Sequence, residues 1–193
     1  YDREFTSKKG RLKLTVDRLF RRRLMRCVDR VVTFSDHAEI FGRPAIGISN
    51  GIDFTCIPLK RQVNDTSQRL KLLGVANIHF WHGFDRVIEG LRAYYAVPCR
   101  RIVDFHIVGD GAAALFGEFR SAAERYGLSE HVFIHGPQAG VALDALFDAC
   151  DFGIASLGRH RSGISALKTL KNREYAARGI PFVYSERDDD FEA

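Results

Sequence analysis

The chain has 193 residues, of which 46% are hydrophobic and 27% charged, and its formal net charge is +5. This composition is typical of a globular protein and excludes a disordered chain. No apolar run approaches the roughly 20 residues that a membrane-spanning helix needs. The length suffices for one sizeable core, or for one domain and part of another. Because Tyr1 is not a natural start, we expect a piece of something longer.

The four cysteines bear on metal binding and on cellular compartment. They are widely spaced and include no C-x-x-C pair, so a zinc or redox site is not indicated; they are Cys27, Cys56, Cys99 and Cys150. Unpaired thiols are typical of the reducing cytoplasm, where we expect the protein to be located.

The positive charge is concentrated at the start of the chain. Residues 1–30 contain 11 Lys or Arg against 4 Asp or Glu, a local +7 that leaves −2 for the remainder. Apolar residues recur there at helical spacing among the arginines, which predicts a basic amphipathic helix. Its apolar stripe could pack on the protein itself, which we favour. Alternatively residues 8–28 could lie on anionic lipid at the inner face of the membrane. Nucleic acid is the least favoured partner, because no RNA-binding or helix-turn-helix motif accompanies the charge.

The region up to about residue 55 has irregular spacing of its elements. We predict strands at Arg30–Phe34 and Ala45–Ser49, separated by a helical stretch that opens at Ser35. Asn50–Asp53 predicts a turn, since Asn-Gly accepts positive φ. The polar, aperiodic residues 59–68 predict a loop.

After this region, strands and helices alternate regularly. The predicted strands are Leu70–Ala76, Ile102–Val108, His131–His135, Phe152–Ser156 and Pro181–Ser185. Helices are predicted at Gly83–Tyr95, Ala112–Tyr126 and Val141–Cys150, with a last one around Lys171. Near-continuous apolar strands alternating with helices predict an α/β fold, with a doubly wound, parallel, Rossmann-like sheet. Ligands of such sheets bind outside the carboxyl ends of the strands.

The predicted strand ends are rich in polar and glycine residues. We expect glycines there to let the backbone approach a ligand, and amides of the following helices to face an anion. Arg159, His160 and Arg161 form a run of donors between two glycines, which suits a diphosphate better than a core; a solvated loop is the alternative. We expect the loop from Gly158 to Gly163 to be mobile without ligand and to become ordered when diphosphate binds.

Two other kinds of site are weakly indicated. Gly109, Gly111 and Ala114 match the dinucleotide pattern G-x-G-x-x-A, but His135 and Gly136 stand where its acidic residue should follow. His79 and His82 lack a third metal ligand nearby, so we expect no metal.

The last predicted helix ends in a well-defined way. Gly179 suits the position after a helix, and Pro181 prevents the helix from continuing. Lys171 and Glu174 share one face near its start, which places a cation and an acceptor beside a helix N-terminus. An ordinary amphipathic helix of an α/β sheet is the alternative.

Residues 171–185 resemble the Lys-x-x-Glu-Tyr-x-Ala-x-Gly-x-Pro segment of the GT-B glycosyltransferases of family 4 (group 1), and similarity to this family extends over about residues 28–193. The Trp-His-Gly and Leu-Gly-x-His-Arg segments resemble a bacterial surface-polysaccharide subgroup. The resemblance implies the C-terminal half of a GT-B fold, with residues 1–53 as the tail of the acceptor-binding domain and the crossover. Residues 54–193 would then be the nucleotide-sugar domain, truncated at its C-terminus.

The resemblance also implies a donor-binding site at the strand ends. Its residues here would be Asn77, His82, Gly83, Gly109, Gly111, Gly136, Arg159, His160, Arg161, Lys171 and Glu174. Glu174 matches the family's ribose-binding glutamate, whereas Ala166 stands where the family has another glutamate. Asn77 and His82 replace the family's diphosphate-binding Arg and Lys. If His82 keeps that role, it should be protonated when the donor binds.

The implied function is a retaining hexosyltransferase reaction from a nucleotide-diphosphate sugar to a glycan or lipid-linked acceptor, without metal or cofactor. We expect this piece alone to bind donor but turn over little. A GT-B nucleotide-sugar epimerase and a non-catalytic nucleotide-sugar-binding module remain alternatives. A requirement for an acceptor in the full-length protein would distinguish the transferase from the epimerase. Absence of turnover in the full-length protein would indicate the binding module.

Overall fold

The computed structural model describes residues 8–35, 37–61, 63–98, 101–164 and 166–191. The chain divides between Asn50 and Gly51 into two compact units. In the part of the chain that is described, no helix has both the length and the apolar character needed to cross a membrane.

The first unit begins with the predicted basic helix and continues into a small sheet. Helix α1 spans Lys8–Leu24, and the strands are β1 (Val31–Thr33), β2 (Glu39–Ile40) and β3 (Arg43–Gly47). Strand β3 lies in the middle, parallel to β1 and antiparallel to β2.

The helix predicted to open at Ser35 is wrong. The chain forms the β2–β3 hairpin instead, and Asp36 itself lies outside the described residues. Phe41 and Gly42 form the two-residue turn with φ of 51° and 79°. Positive φ at both positions is typical of the tight turns that join antiparallel strands, and Gly42 adopts it without strain.

The apolar stripe of α1 is exposed, contrary to the favoured prediction that it packs on the protein. Leu12, Leu19 and Leu24 have exposed fractions of 67%, 72% and 66%. The helix therefore presents leucines between basic side chains at its surface.

The second unit contains the predicted doubly wound sheet. Its strands are β4 (Arg69–Val75), β5 (Ile102–Val108), β6 (Val132–Gly136), β7 (Phe152–Ile154) and β8 (Phe182–Val183). The helices are α2 (Phe84–Tyr95), α3 (Ala113–Arg125), α4 (Gly140–Ala149) and α5 (Leu170–Ala177). All strand pairs are parallel, in the order β6-β5-β4-β7-β8. The predicted fold class and all five strands are confirmed, although β7 and β8 are shorter than predicted.

The core of this unit lies on both faces of the sheet. One cluster joins β5 to α2 and α3, with Phe84, Phe105 and Phe119 almost fully buried. The other joins the sheet to α4 and α5 through Phe147 and Tyr175. Apolar side chains on both faces explain why the strands read as near-continuous hydrophobic runs.

Helix α5 is tied to the central strand by one phenol. The buried Tyr175 Oη donates a hydrogen bond to the carbonyl of Leu73 at 2.9 Å and accepts one from the amide of Val75 at 3.2 Å. The helix ends as predicted: Gly179 has φ 70°, and the amide of Ile180 returns to the carbonyl of Tyr175.

The connection into the second unit contains no regular element and includes a turn. The turn predicted at Asn50–Asp53 is wrong, because the chain turns at residues 53–56, where Asp53 accepts hydrogen bonds from the amide and hydroxyl of Thr55. Further along, the Lys60 ammonium donates to carbonyl oxygens at the carboxyl end of α4, among them that of Asp148 at 2.6 Å. This contact places a cation at the negative end of that helix.

Candidate functional site

The sheet has its topological switch point at the carboxyl ends of β4 and β7. The chain leaves β4 through α2 towards β5, and leaves the neighbouring β7 through α5 towards β8 on the other side. The two connections therefore run to opposite sides of the sheet, and open α/β sheets bind ligands in the crevice outside such an edge.

The exits of β4 and β7 meet through two glycines. A Cβ on Gly83, whose φ is 69°, would lie 2.7 Å from the amide nitrogen of Gly158. The carbonyl of His82 accepts a hydrogen bond from the amide of Leu157 at 2.8 Å. Gly83 thus allows close contact between the loops that follow β4 and β7.

The glycines after β5 serve a similar purpose. Gly109 has φ 134°, and a Cβ there would lie 1.7 Å from the carbonyl oxygen of Ala76. A Cβ on Gly111 would lie 2.9 Å from the carbonyl oxygen of Ile78. The G-x-G pattern therefore brings the exits of β4 and β5 together. Gly136 differs, because its φ is 70° and no atom lies within 4 Å of the Cβ position.

Lys171 is the central cation of the crevice. It lies in the first turn of α5, and its ammonium donates to the hydroxyl of the fully buried Ser156, after β7, at 3.3 Å. Desolvation lowers the pKa of Lys171 to about 7; the negative charge of Glu186 raises it, and the positive charge of Arg159 lowers it further. This ammonium is therefore close to its titration point near neutral pH.

Without a ligand, burial favours the neutral imidazole of His82, whereas the prediction of an imidazolium concerns the donor-bound protein. Its side chain is buried, and its Nδ1 accepts a hydrogen bond from the amide of His79 at 2.9 Å. Desolvation, followed by the charges of Lys171 and Arg159, lowers the pKa of His82 to about 3. With Nδ1 accepting, Nε2 carries the proton in the neutral ring.

A carboxylate that the sequence analysis missed completes the group. Glu186 follows β8, is 3% exposed, and neither of its oxygens has a hydrogen-bond partner. Desolvation raises its pKa, whereas the charges of Lys171 and Arg159 lower it. We refer to His82, Arg159, Lys171 and Glu186 as the strand-end cluster.

The run Arg159–His160–Arg161 adopts regular secondary structure and makes side-chain contacts. It lies in a 3-10 helix, residues 159–162, where the Arg159 guanidinium covers the ring of Trp81 at 5.3 Å. Arg161 donates two hydrogen bonds of 2.8 Å to the carboxylate of Asp85 and one to the carbonyl of Phe80. His160 is exposed. The three donors are thus not equivalent, and Arg159 alone joins the strand-end cluster.

Glu174 and Asn77 lie outside the strand-end cluster. The Glu174 carboxylate accepts hydrogen bonds from Arg178, which also pairs with Asp144 of α4 at 2.7 Å. Asn77 is exposed at the exit of β4. Both residues are on elements that border the crevice.

Other sites are less well supported. Among the described residues, no group of three or more His, Cys, Asp or Glu side chains is arranged to hold a metal ion. An open groove of about 630 Å³ lies between α2 and α3, lined by charged residues such as Glu89, Glu118 and Arg125. This groove is bounded by helices and does not lie at the switch point of the sheet. We therefore place the candidate ligand-binding site at the strand ends.

Comparison with known proteins gives structural matches only. No protein-family model and no curated protein matches the sequence. The structure is similar to Anabaena HepE in complex with UDP and glucose, with a TM-score of 0.63 and 19% identity over 93% of this chain and 48% of that one. It is also similar to the C-terminal domain of a group 1 glycosyltransferase, LpcC, from Francisella tularensis. That match has a TM-score of 0.50 and 14% identity over 68% of this chain and 69% of the domain.

A third match is the lipopolysaccharide outer core galactosyltransferase WaaB, with a TM-score of 0.55 and 14% identity over 80% of this chain and 42% of that one. The chain thus spans less than half the length of HepE and WaaB. At these identities the likeness establishes the fold, which agrees with the resemblance found in the sequence. The second unit therefore has the fold of the C-terminal domains of GT-B group 1 glycosyltransferases.

Proposed function

We propose that this chain is the donor-binding part of a retaining, metal-independent GT-B glycosyltransferase. It would transfer a hexose from a nucleotide-diphosphate sugar to a glycan or lipid-linked acceptor in surface-polysaccharide synthesis. Residues 54–193 would bind the donor, and residues 1–53 would form the tail of the acceptor-binding domain and the crossover.

The observation that carries this proposal is the grouping of cations at the switch point. Lys171 and Arg159 lie together at the carboxyl ends of β4 and β7, beside the Nε2–H donor of His82. A diphosphate carries negative charge that such donors bind, more strongly where water is excluded. HepE, which shares the fold, has been seen with UDP and with UDP-glucose.

These residues suit the departure of a nucleoside diphosphate. In the proposed reaction, the bond between the anomeric carbon and the diphosphate oxygen breaks, and the acceptor hydroxyl oxygen bonds to that carbon. The hydroxyl proton passes to the departing phosphate or to a base. Lys171, Arg159 and His82 would stabilise the charge that develops on the leaving oxygen, so the proposal needs no metal ion.

The remaining site residues are assigned by their place around the crevice. Glu174 would accept from the ribose, and Asn77, Gly83, Gly109, Gly111 and Gly136 would line the donor. His160 and Arg161 would border the diphosphate. Since HepE and WaaB are more than twice as long as the part that this chain matches, we expect this chain alone to bind donor with little turnover.

We also propose that α1 lies on an anionic membrane surface. Its exposed leucines alternate with basic residues, which matches lipid that offers an apolar interior under negative headgroups. No nucleic acid enters the proposal, and the protein would act in the cytoplasm at the inner face of the membrane.

A thermal-shift panel tests the donor assignment. We expect one diphosphate sugar among the uridine, guanosine, adenosine, cytidine and thymidine series to raise the melting temperature of the chain. A ligand at 100 times its Kd stabilises a protein by about 2.7 kcal/mol, a shift that is easily measured. If none of the five classes raises the melting temperature at millimolar concentration, the proposed function is wrong.

A further inference from the structure

We propose that Glu186 accepts a hydrogen bond from a hydroxyl of the donor sugar and thereby distinguishes the diphosphate sugar from the nucleoside diphosphate. This inference rests on the proposed function and adds a residue that neither the sequence pattern nor the fold assigns.

Glu186 is an unusual carboxylate because nothing in the described protein satisfies it. It is 3% exposed, and both Oε1 and Oε2 are without a hydrogen-bond partner. Its own amide and that of Ser185 influence its pKa but lie outside hydrogen-bonding geometry. Burying a carboxylate without a hydrogen-bond partner lowers the stability of a protein. Such a group is therefore rare, and a ligand that donates a hydrogen bond to it is one explanation for its presence.

The position of Glu186 places it in the crevice. It follows β8, and its charge acts on Lys171, while the charges of Lys171 and Arg159 act on it. The neighbouring Arg187 pairs with Ala166 in a parallel bridge, and its carbonyl accepts from the amide of Leu167 at 2.9 Å. Glu186 is therefore next to the segment in which Ala166 lacks a functional side chain, and it brings a carboxylate to that part of the edge.

The chemistry of the cluster selects the ligand class. Lys171 and Arg159 attract an anion, whereas the unpartnered oxygens of Glu186 repel one and accept only from donors. A ligand that satisfies both must have negative charge and hydroxyl groups a few atoms apart. A sugar joined to a diphosphate has this arrangement, and a free nucleoside diphosphate lacks the hydroxyls on that side.

The experiment compares two ligands on two variants of the chain. Calorimetry at pH 7 would measure the Kd of the best nucleoside diphosphate from the panel and of its glucose derivative, for wild type and for Glu186→Gln. The change removes one repulsive charge and also lowers the pKa of Lys171, and both effects act on the two ligands alike, so the ratio of the two affinities is the readout. The preference for the sugar derivative should fall by about tenfold or more, the usual size of a hydrogen bond to a charged group.

Asp188→Asn is the matched control. Asp188 is also 3% exposed and two residues away, but its oxygens are bonded to Arg173 and Asn172. We expect this variant to lose stability without a change in the ratio of the two affinities, and Glu186→Gln to keep its melting temperature. Equal weakening of both ligands by Glu186→Gln, or no change in the ratio, would overturn the inference.

The same data separate this inference from the proposed function. If wild type binds neither ligand, the function fails. If wild type binds both and Glu186→Gln keeps the sugar preference, the function stands and Glu186 is a structural residue.

Discussion

The Lys171 ammonium should make donor binding depend on pH. Its pKa is lowered to about 7 by desolvation in a cluster with Glu186, Arg159 and His82. Only the protonated form attracts the diphosphate, so donor affinity should fall as pH rises through about 7, by up to tenfold per unit. Titrations with a diphosphate sugar between pH 6 and 8.5 measure this, because the diphosphate of that ligand does not ionise in the range.

Two variants identify the group responsible. Lys171→Arg keeps the charge at every pH and should flatten the profile, whereas His82→Asn should leave it, since His82 has a pKa of about 3. Glu186→Gln should move the midpoint to lower pH, because Glu186 supports the lysine charge. A profile that disappears in His82→Asn would restore the original imidazolium hypothesis.

Glu174→Gln should weaken donor binding and leave the fold intact. Loss of one charged hydrogen bond to the ribose should cost roughly 1.5–3 kcal/mol of binding. Stability should change by less than about 1 kcal/mol, because Arg178 keeps its pair with Asp144. Asp144→Asn is the control: it removes the other partner of the same arginine and should leave donor affinity unchanged. Equal donor affinities for Glu174→Gln and wild type would remove Glu174 from the site.

The residue types at the strand ends were enough to predict part of the site. The rest depends on which side chains the fold buries, and the sequence alone does not show this. The sequence indicated Arg159 because cations between glycines are poor core residues, and it indicated Lys171 because this residue lies near a helix start at a strand end. It could not indicate Glu186, which stands in a run of charged residues that reads as a solvated segment. The protonation of His82 also required structure, since an imidazole pKa depends on burial and on neighbouring cations.

At the scale of elements, the 3-10 helix of residues 159–162 should be protected from hydrogen exchange before any ligand binds. Arg161 bonds it to Asp85 at the start of α2, and the amides of Arg161 and Gly163 are hydrogen-bonded within the turn. We expect Asp85→Asn to increase the exchange of these amides and diphosphate to slow it again. If these amides exchange as fast in wild type as in Asp85→Asn, the loop is mobile without ligand, as the sequence analysis predicts.

Glycine substitutions test the contact between the exits of β4 and β5. Gly109→Ala should destabilise the chain by about 3 kcal/mol or more, since φ is 134° and the Cβ would lie 1.7 Å from a carbonyl oxygen. Gly117→Ala is the control within α3, where nothing lies within 4 Å of the Cβ position. It should stabilise the helix by about 0.5–1 kcal/mol. Chemical denaturation measures both, and a neutral Gly109→Ala would refute the contact.

The helices and strands of the second unit were predictable because the pattern of apolar residues in each one matches the side or sides on which it is buried. Strands such as Ile102–Val108, in which five of seven residues are apolar and lie on both faces, are typical of the interior of a parallel sheet. The first unit was less predictable. Ser35 read as a helix start, but pairing of β2 with β3 over two residues outweighed this local preference.

At the scale of the whole molecule, α1 should confer binding to anionic vesicles. The chain should sediment with vesicles that contain phosphatidylserine and less so with phosphatidylcholine alone, and added salt should release it. Leu12→Ser with Leu19→Ser should abolish binding, while Val141→Ser, an equally apolar and exposed change on α4, should not. Retention of the double variant on vesicles would show that α1 is not the contact.

Tyr175 links the width of the crevice to the position of helix α5. Its hydroxyl stands between β4 and β7, bonded to Leu73 and Val75 on one strand and directed at the carbonyl of Ile154, 3.3 Å away, on the other. Direct pairing of the two strands ends at Leu73 and Gly153, and beyond these residues the phenol bridges the strands in place of a backbone pair. Lys171 is one helical turn earlier on α5. The width of the opening and its positive charge are thus set by the same helix, and any shift of α5 along the sheet changes both together.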